Sequence, residues 1–312
     1  MGPRPLVAVV GQTATGKSHL GIAIAARVGG EIVSCDSTAV YRGFDIGTDK
    51  VPEAERRGVP HHLVDVVAPT EVYTAARYAG DAAAMIAEVW RRGRVPILVG
   101  GSGLYYRALT RGLFPGPARD ERLRGRLEAI AARRGVTFLH RALARVDRVS
   151  AGRILPRDLK RIVRALEVYL LTGSPLSAHF ADTRPPLPDA ALTAIALRLP
   201  PDALGDRLAR RVDEQFARGV VDEVRGLLAA GVPRTAHAFT GLVYRQVLEH
   251  LDGARDEAAT RALIVRENRR YARRQLIWFR KEPNLLWLST PGESRETIDA
   301  AASAIVSRGT ER

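Results

Sequence analysis

In the first hundred positions, apolar residues gather in short, nearly unbroken runs at residues 6–10 and 95–99, each ended by glycine, and residues 31–34 also read as a strand. A run of four or five residues that is apolar at almost every position predicts a strand buried on both faces, which is the habit of a parallel sheet. Residues 62–67 read as a possible third strand, residues 192–199 return to strand character, and 285–288 would be a last edge strand. Between these runs the period changes. Residues 17–27 suit a helix, and residues 78–92 carry Ala, Met, Ile and Trp at three and four spacing. Strands alternating with helices predict a parallel sheet with right-handed crossovers.

After the Phe-Pro-Gly-Pro segment at 114–117 the pattern becomes helical from 120 to about 171, rich in Arg, Ala and Leu, with breaks expected near Gly135 and Pro156. A proline cluster at Pro185, Pro186 and Pro188 then reads as a linker. The expected organisation is a core of residues 1–117 and 189–312 and a helical insertion of residues 118–188. Further helices are expected at 202–230 and 255–280. No internal repeat or low-complexity tract interrupts the chain.

Charge changes this picture more than composition does. The hydrophobic share of 46% is ordinary for a globular protein, whereas the formal net charge of +14 over 312 residues suggests a polyanionic partner. Lysine occurs only at Lys17, Lys50, Lys160 and Lys281, so the excess is arginine. A GC-rich genome would give the same bias, and composition leaves both explanations open. The single cysteine, Cys35, excludes an internal disulfide framework and suits a reducing compartment. No apolar run is long enough to cross a membrane, and the first one ends too soon for a secretory signal. The expected location is therefore cytoplasmic, without membrane association.

Residues 11–18, GQTATGKS, match the phosphate-binding pattern G-x-x-x-x-G-K-[ST] in full, with an apolar run before and a helix-forming run after. Gly11 and Gly16 let the backbone curl so that amides of Thr13, Ala14 and Thr15 can face one anion, aided by the helix N-terminus. Lys17 would neutralise phosphate oxygens and Ser18 would hold a Mg²⁺ ion bridging them. The pattern specifies a diphosphate but not the reaction. The fold class implied is α/β: a P-loop NTPase-like parallel-sheet core flanked by helices, with an inserted all-helical domain.

Asp36 follows directly on the second strand, and carboxyl ends of parallel strands line the ligand crevice. It could serve as a general base, assist Mg²⁺ through water, or simply cap a turn together with Ser37. Cys35 reads as a buried small hydrophobe. The pair His61 and His62 has no partner pair at zinc spacing. The strand at 95–99 ends in glycine where an ATP-hydrolysing protein would carry an acid, which weakens an ATPase reading.

Between Arg261 and Lys281 there are eight basic residues and one acid, Glu267. At helical spacing Arg266, Arg269, Arg270, Arg273, Arg274, Arg280 and Lys281 share one face, with Leu263, Leu276 and Phe279 placed opposite. A solvated arginine face is the common explanation, but together with a P-loop the stripe favours nucleic acid. Arg157, Lys160, Arg161 and Arg164 form a second stripe in the insertion.

Taken together, these segments resemble the tRNA dimethylallyltransferase (tRNA isopentenyltransferase) family. The likeness runs through GQTATGKS (11–18), SCDS (34–37), YRGFDIGT (41–48), PHHLVD (60–65), PILVGGSGLY (96–105), RIVRALE (161–167) and RRYARRQLIWFR (269–280). It implies that the P-loop binds the diphosphate of dimethylallyl diphosphate, and that the allyl group passes to N6 of adenosine 37 in tRNA with release of pyrophosphate. Asp36 matches the catalytic base. Thr13, Lys17 and Ser18, with Mg²⁺, would stabilise the leaving group, assisted by Arg211 or its neighbour Arg207. The resemblance assigns Asp36, Ser37, Thr38, Ala39, Ser102, Arg124, Lys160, Arg161 and Arg164 to tRNA, and Arg269 and Arg273 join them from the basic stripe. The chain is expected to act as a monomer on a large rigid RNA. Two positions depart from the family pattern: Ala39, where glutamine is frequent, and Val243, where glycine is usual. If that glycine serves a positive φ, valine strains the loop. A small-molecule kinase and a catalytically silent RNA-binding protein are the competing readings. ATP competition would separate the first, and an intact Lys17, Ser18 and Asp36 argue against the second.

Overall fold

The computed structural model describes residues 2–310. Two compact units divide the chain, Met1–Leu109 with Leu187–Arg312, and Thr110–Pro186.

The first unit is built on β1 (Arg4–Gly11), α1 (Lys17–Val28), β2 (Gly30–Ser34), β3 (His61–His62), α2 (Ala75–Arg91), β4 (Val95–Val99) and α3 (Gly103–Thr110). All six strands of its sheet are parallel, in the order β3-β2-β4-β1-β5-β6, where β5 is Ala190–Leu197 and β6 is Leu285–Leu288. Because side chains alternate across a strand, each uninterrupted apolar run feeds two cores at once. Leu6, Ala8, Val10, Val33, Leu98 and Ala196 enter one, which packs on α2. Val7, Val9, Ile32, Ile97, Ile195 and Leu197 enter the other, against α1 and the C-terminal helix. Both faces are covered, which is why these strands read as continuous hydrophobic runs.

The third strand expected at 62–67 forms only at His61–His62. Leu63 and Asp65 take φ of 60° and 57°, turning the chain out of the extended region, and only Val67 returns to pair with Tyr41. β6 lies at the sheet edge as expected, hydrogen-bonded to β5.

The unit Thr110–Pro186 carries α4 (Glu121–Arg134), α5 (Val136–Val146), α6 (Arg148–Arg153), α7 (Leu159–Thr172) and α8 (Leu176–His179) around Leu127, Leu139, Leu143, Ile162 and Leu166. Gly135 breaks the first pair at φ 84°. Asp147 makes a further break that the helical pattern did not announce, its carboxylate accepting the Ser150 amide at 2.9 Å to start α6.

The single helix expected over 202–230 is two, α9 (Pro201–Ala217) and α10 (Val220–Ala229), separated by Gly219 at φ 88°. Beyond them lie α11 (Tyr244–Leu251), α12 (Glu257–Phe279) and α13 (Arg295–Thr310). The basic stripe is corrected in two respects. α12 ends at Phe279, so Arg280 and Lys281 lie past its last residue. Its buried side carries Thr260, Ile264, Ala272, Gln275 and Phe279, while Leu263 and Leu276 are only half-buried. Two of the five buried residues are polar, so hydrophobicity could not have located this face.

Candidate active site

Residues 11–16 form a tight loop between β1 and α1, and its glycines are required by contact as well as by φ. Gly11 holds φ 123°, and a Cβ there would meet the Leu197 carbonyl oxygen at 2.2 Å. Gly16, at φ 87°, lies where a Cβ would meet the Gly292 backbone nitrogen at 2.8 Å. Ala14 sits between them at φ 60°, its methyl packed with Leu204, Leu208 and Ala272. Thr15 is fully buried and turns its hydroxyl onto the Gln12 carbonyl at 2.8 Å.

The loop is braced from α12. Gln275 accepts the Thr13 amide at 2.7 Å and donates to the Gly101 carbonyl at 3.0 Å, joining the ends of β1 and β4. Gln12 donates to the Ala272 carbonyl at 3.3 Å. The Thr13 amide is thereby committed to protein, and anion binding falls to the remaining loop amides, Lys17 and the start of α1. Sequence reading passed over Gln275, because it lies within a run taken for its arginines.

Lys17 donates to the Gln12 carbonyl at 2.5 Å. Burial and the neighbouring Arg211 guanidinium pull its ammonium down to about 7, against the opposing pull of Asp36. An anion delivered to the loop would restore its charge. Ser18 is exposed on the first turn of α1.

Asp36 leaves the carboxyl end of β2. Its Oδ1 accepts the Thr38 amide at 2.8 Å, the Thr38 hydroxyl at 2.6 Å and the Ala39 amide at 3.4 Å. The turn-capping role is therefore real, but it occupies one oxygen; among the described residues nothing hydrogen-bonds Oδ2. Ser102, from the segment after β4, accepts the Ser37 amide at 2.9 Å, so its hydroxyl sets the turn that carries Asp36. Cys35 is fully buried, its thiol pushed up to about 12 by burial.

From α9, Arg211 donates to the Thr13 hydroxyl at 3.0 Å and lies 3.2 Å from Asp49. Arg207 instead donates to the Ala14 carbonyl at 2.6 Å and pairs with Glu293 at 2.5 Å, holding the loop from outside. The structure thus gives the two arginines different work. Thr13, Lys17, Asp36, Arg211, Asp49, Tyr271 and Arg274 all line one cleft of about 1600 Å³.

A second wall of the cleft is formed by the loop after residue 41. Glu223 accepts the Ile46 amide at 2.7 Å and the Tyr244 hydroxyl at 2.5 Å, and the Tyr244 ring packs on Phe44 at 4.7 Å. Val243, immediately before α11, has φ 77° and ψ −62° and is buried. The strain expected of valine at this position is present.

The residues assigned to RNA fall into two groups. Lys160 and Arg161 are exposed on α7, and Arg269 and Arg273 are exposed on α12. Arg124 and Arg164 instead converge on the fully buried Glu167: Arg124 makes a two-nitrogen fork at 2.8 Å to each oxygen, and Arg164 donates at 2.6 Å. Burial acts to raise the Glu167 carboxyl, but these bonds and the Asp120 amide outweigh it and hold it at about 2. The ion cluster accounts for both arginines without an RNA. Ala39 is buried at the turn that Asp36 caps.

The profile of the IPP transferase family matches residues 39–282, well over half of the sequence. The chain belongs to the IPP transferase family. Among its family relatives, a tRNA dimethylallyltransferase of Solibacter usitatus is 46% identical over 301 residues, covering 96% of this chain and 98% of that one. One of Geobacter metallireducens is 47% identical over 293 residues, covering 92% and 93%. A crystal structure of the full-length tRNA isopentenylpyrophosphate transferase of Bacillus halodurans superposes with a TM-score of 0.72 at 36% identity, covering 99% of each chain. A eukaryotic dimethylallyltransferase acting on tRNA superposes with a TM-score of 0.77 at 25% identity, covering 96% of this chain and 77% of the other. The IPP transferase sheet and its flanking helices are therefore shared along almost the whole length.

Proposed function

We propose that this chain transfers a dimethylallyl group from dimethylallyl diphosphate to N6 of adenosine 37 in tRNA and releases pyrophosphate. One observation carries the reading. An anion-binding loop with its lysine and a carboxylate with one unoccupied oxygen line a single cleft, at the carboxyl ends of β1 and β2, the two strands that flank β4. The names of the Solibacter usitatus and Geobacter metallireducens relatives, both tRNA dimethylallyltransferases, support the acceptor and the group transferred.

The chemistry divides between two sides of the cleft. The exocyclic amine of adenine is a poor nucleophile, since its lone pair is delocalised into the ring. As the N6–C1 bond forms, a proton must leave N6, and Asp36 Oδ2, which no donor among the described residues occupies, would take it. The bond from C1 to the ester oxygen of the α-phosphate breaks, and negative charge builds on the pyrophosphate leaving group. Lys17, the loop amides, the Thr13 hydroxyl and Arg211 answer that charge. The adenine must leave its stack to reach Asp36, and the exposed basic residues Lys160, Arg161, Arg269 and Arg273 would hold the RNA backbone.

Mg²⁺ fits the donor set as a shared ion. The Ser18 hydroxyl is a hard oxygen donor, and the described residues contain no cluster of three or more His, Cys, Asp or Glu for a protein-only site. Such sites leave most ligands to phosphate and water. When bound, the ion would supply charge neutralisation of the diphosphate. The proposed setting is cytoplasmic and monomeric, away from membranes. Among the described residues no helix is long and apolar enough to cross a membrane.

The test is incubation with Mg²⁺, dimethylallyl diphosphate and unmodified tRNA, followed by nucleoside mass spectrometry. Adenosine heavier by one dimethylallyl group is expected. In Asp36→Ala, tRNA binding should stay near wild type while transfer falls by about 100-fold or more. An unchanged rate would remove Asp36 as the base. Absence of transfer combined with tight ATP binding would favour the kinase reading.

A further inference from the structure

Asp49 is a second carboxylate in the cleft, and the reaction just described leaves it without a role. It ends the loop that begins at Tyr41, in a left-handed conformation at φ 53°, with its amide on the Ile46 carbonyl at 3.1 Å. Its Oδ2 accepts the Gln215 amide at 2.9 Å and lies 3.2 Å from Arg211 Nη1. That same Nη1 donates to the Thr13 hydroxyl at 3.0 Å. Arg211 and Gln215 stand one turn apart on α9, so both point to the same carboxylate. One guanidinium nitrogen is thus shared between the phosphate loop and an acid.

The arrangement is not what the fold alone would select. Burial raises the Asp49 carboxyl, and Arg211 and the Gln215 hydrogen bond act against that rise. A fixed anion beside an anion-binding loop also opposes the ligand. That opposition is unequal between substrate and product. A diphosphate ester has one phosphoryl oxygen bonded to carbon, and breaking that bond leaves the electron pair, and one further negative charge, on the leaving group. A carboxylate nearby therefore repels the free pyrophosphate more than the donor.

We infer that Asp49 is a positioning residue for the leaving group: it holds Arg211 toward Thr13 while the loop is empty and hastens pyrophosphate release by repulsion and by reclaiming that arginine. The inference rests on the prenyl-transfer reading above and adds a step to it.

Steady-state kinetics with pyrophosphate as product inhibitor tests it. Asp49→Asn keeps the shape and the acceptor for Gln215 while removing the charge. Its inhibition constant for inorganic pyrophosphate should fall roughly tenfold, with a smaller fall in donor KM, as expected for one unit charge acting a few ångströms away in a partly screened site. kcat should fall where release limits turnover. Asp49→Glu restores charge and should return the constant toward wild type. Asp49→Ser, with thermal melts for all three, guards against a folding defect in any one. A pyrophosphate constant that is unchanged or raised in well-folded Asp49→Asn would overturn the inference and leave the prenyl-transfer reading standing. A wild-type protein that shows no pyrophosphate binding would overturn both.

Discussion

Val243 holds its backbone at φ 77° and ψ −62°, a region where a β-branched side chain is a true outlier, and its side chain is almost wholly buried. Strain of this kind is worth on the order of 1–3 kcal/mol and persists only where surrounding contacts enforce it. Here those contacts are the Tyr244 hydroxyl on Glu223 and the Tyr244 ring against Gly47 and Phe44. The strain predicts an inverted order of substitutions. Val243→Ala loses packing and keeps the unfavourable φ, whereas Val243→Gly loses more packing but relieves it. In most folded positions glycine is worse than alanine by about 1 kcal/mol. At 243, denaturant melts should find glycine at least as stable as alanine; a glycine variant weaker by the ordinary margin would show that the position is relaxed. Sequence alone could flag Val243 as a departure but could not supply the angle, which packing of α11 imposes.

The helices of the unit Thr110–Pro186 were legible in outline, from Arg-, Ala- and Leu-rich segments broken at Gly135. Their charges were not. Arg124 and Arg164 look like members of a basic surface in the chain, yet they close on Glu167, which links α4 to α7. Because the folded carboxyl is held at about 2, well below its usual value near 4.5, the stability it contributes is fully present above that usual value and is lost as pH falls toward 2. The full contribution is about 3 kcal/mol. Glu167→Gln should lose a comparable amount at neutral pH, since two guanidinium groups would keep only a neutral partner. Hydrogen exchange on α4 and α7 reads this directly. Unchanged protection in Glu167→Gln would mean that the apolar contacts of Leu127, Ile162 and Leu166 suffice.

Over the whole molecule, the formal charge of +14 left two explanations open, and tertiary structure divides the arginines between them. Arg207, Arg261 and Arg270 are paired with carboxylates, whereas Arg269 and Arg273 stand exposed one turn apart on α12. Phosphate contacts made by that exposed pair are independent of RNA sequence and release counterions. Replacing both with alanine should weaken tRNA binding by a similar factor for every tRNA, and should lower the slope of log affinity against log salt by about 1 for each arginine. An unaltered slope would assign the stripe to solvation.

Sequence by itself determined the parallel sheet, the phosphate loop and the carboxylate beside it. Each of these is written in neighbouring residues: apolar runs ended by glycine, a fixed spacing of Gly, Lys and Ser, an acid at the end of a strand. Tertiary structure decided which polar groups meet across the chain. Thr13 is braced by Gln275 at a separation of 262 residues and reached by Arg211 at 198. Asp49 faces Gln215 across 166 residues. No local period encodes such pairs, because the geometry that joins them is set by how α9 and α12 pack on the sheet and on each other.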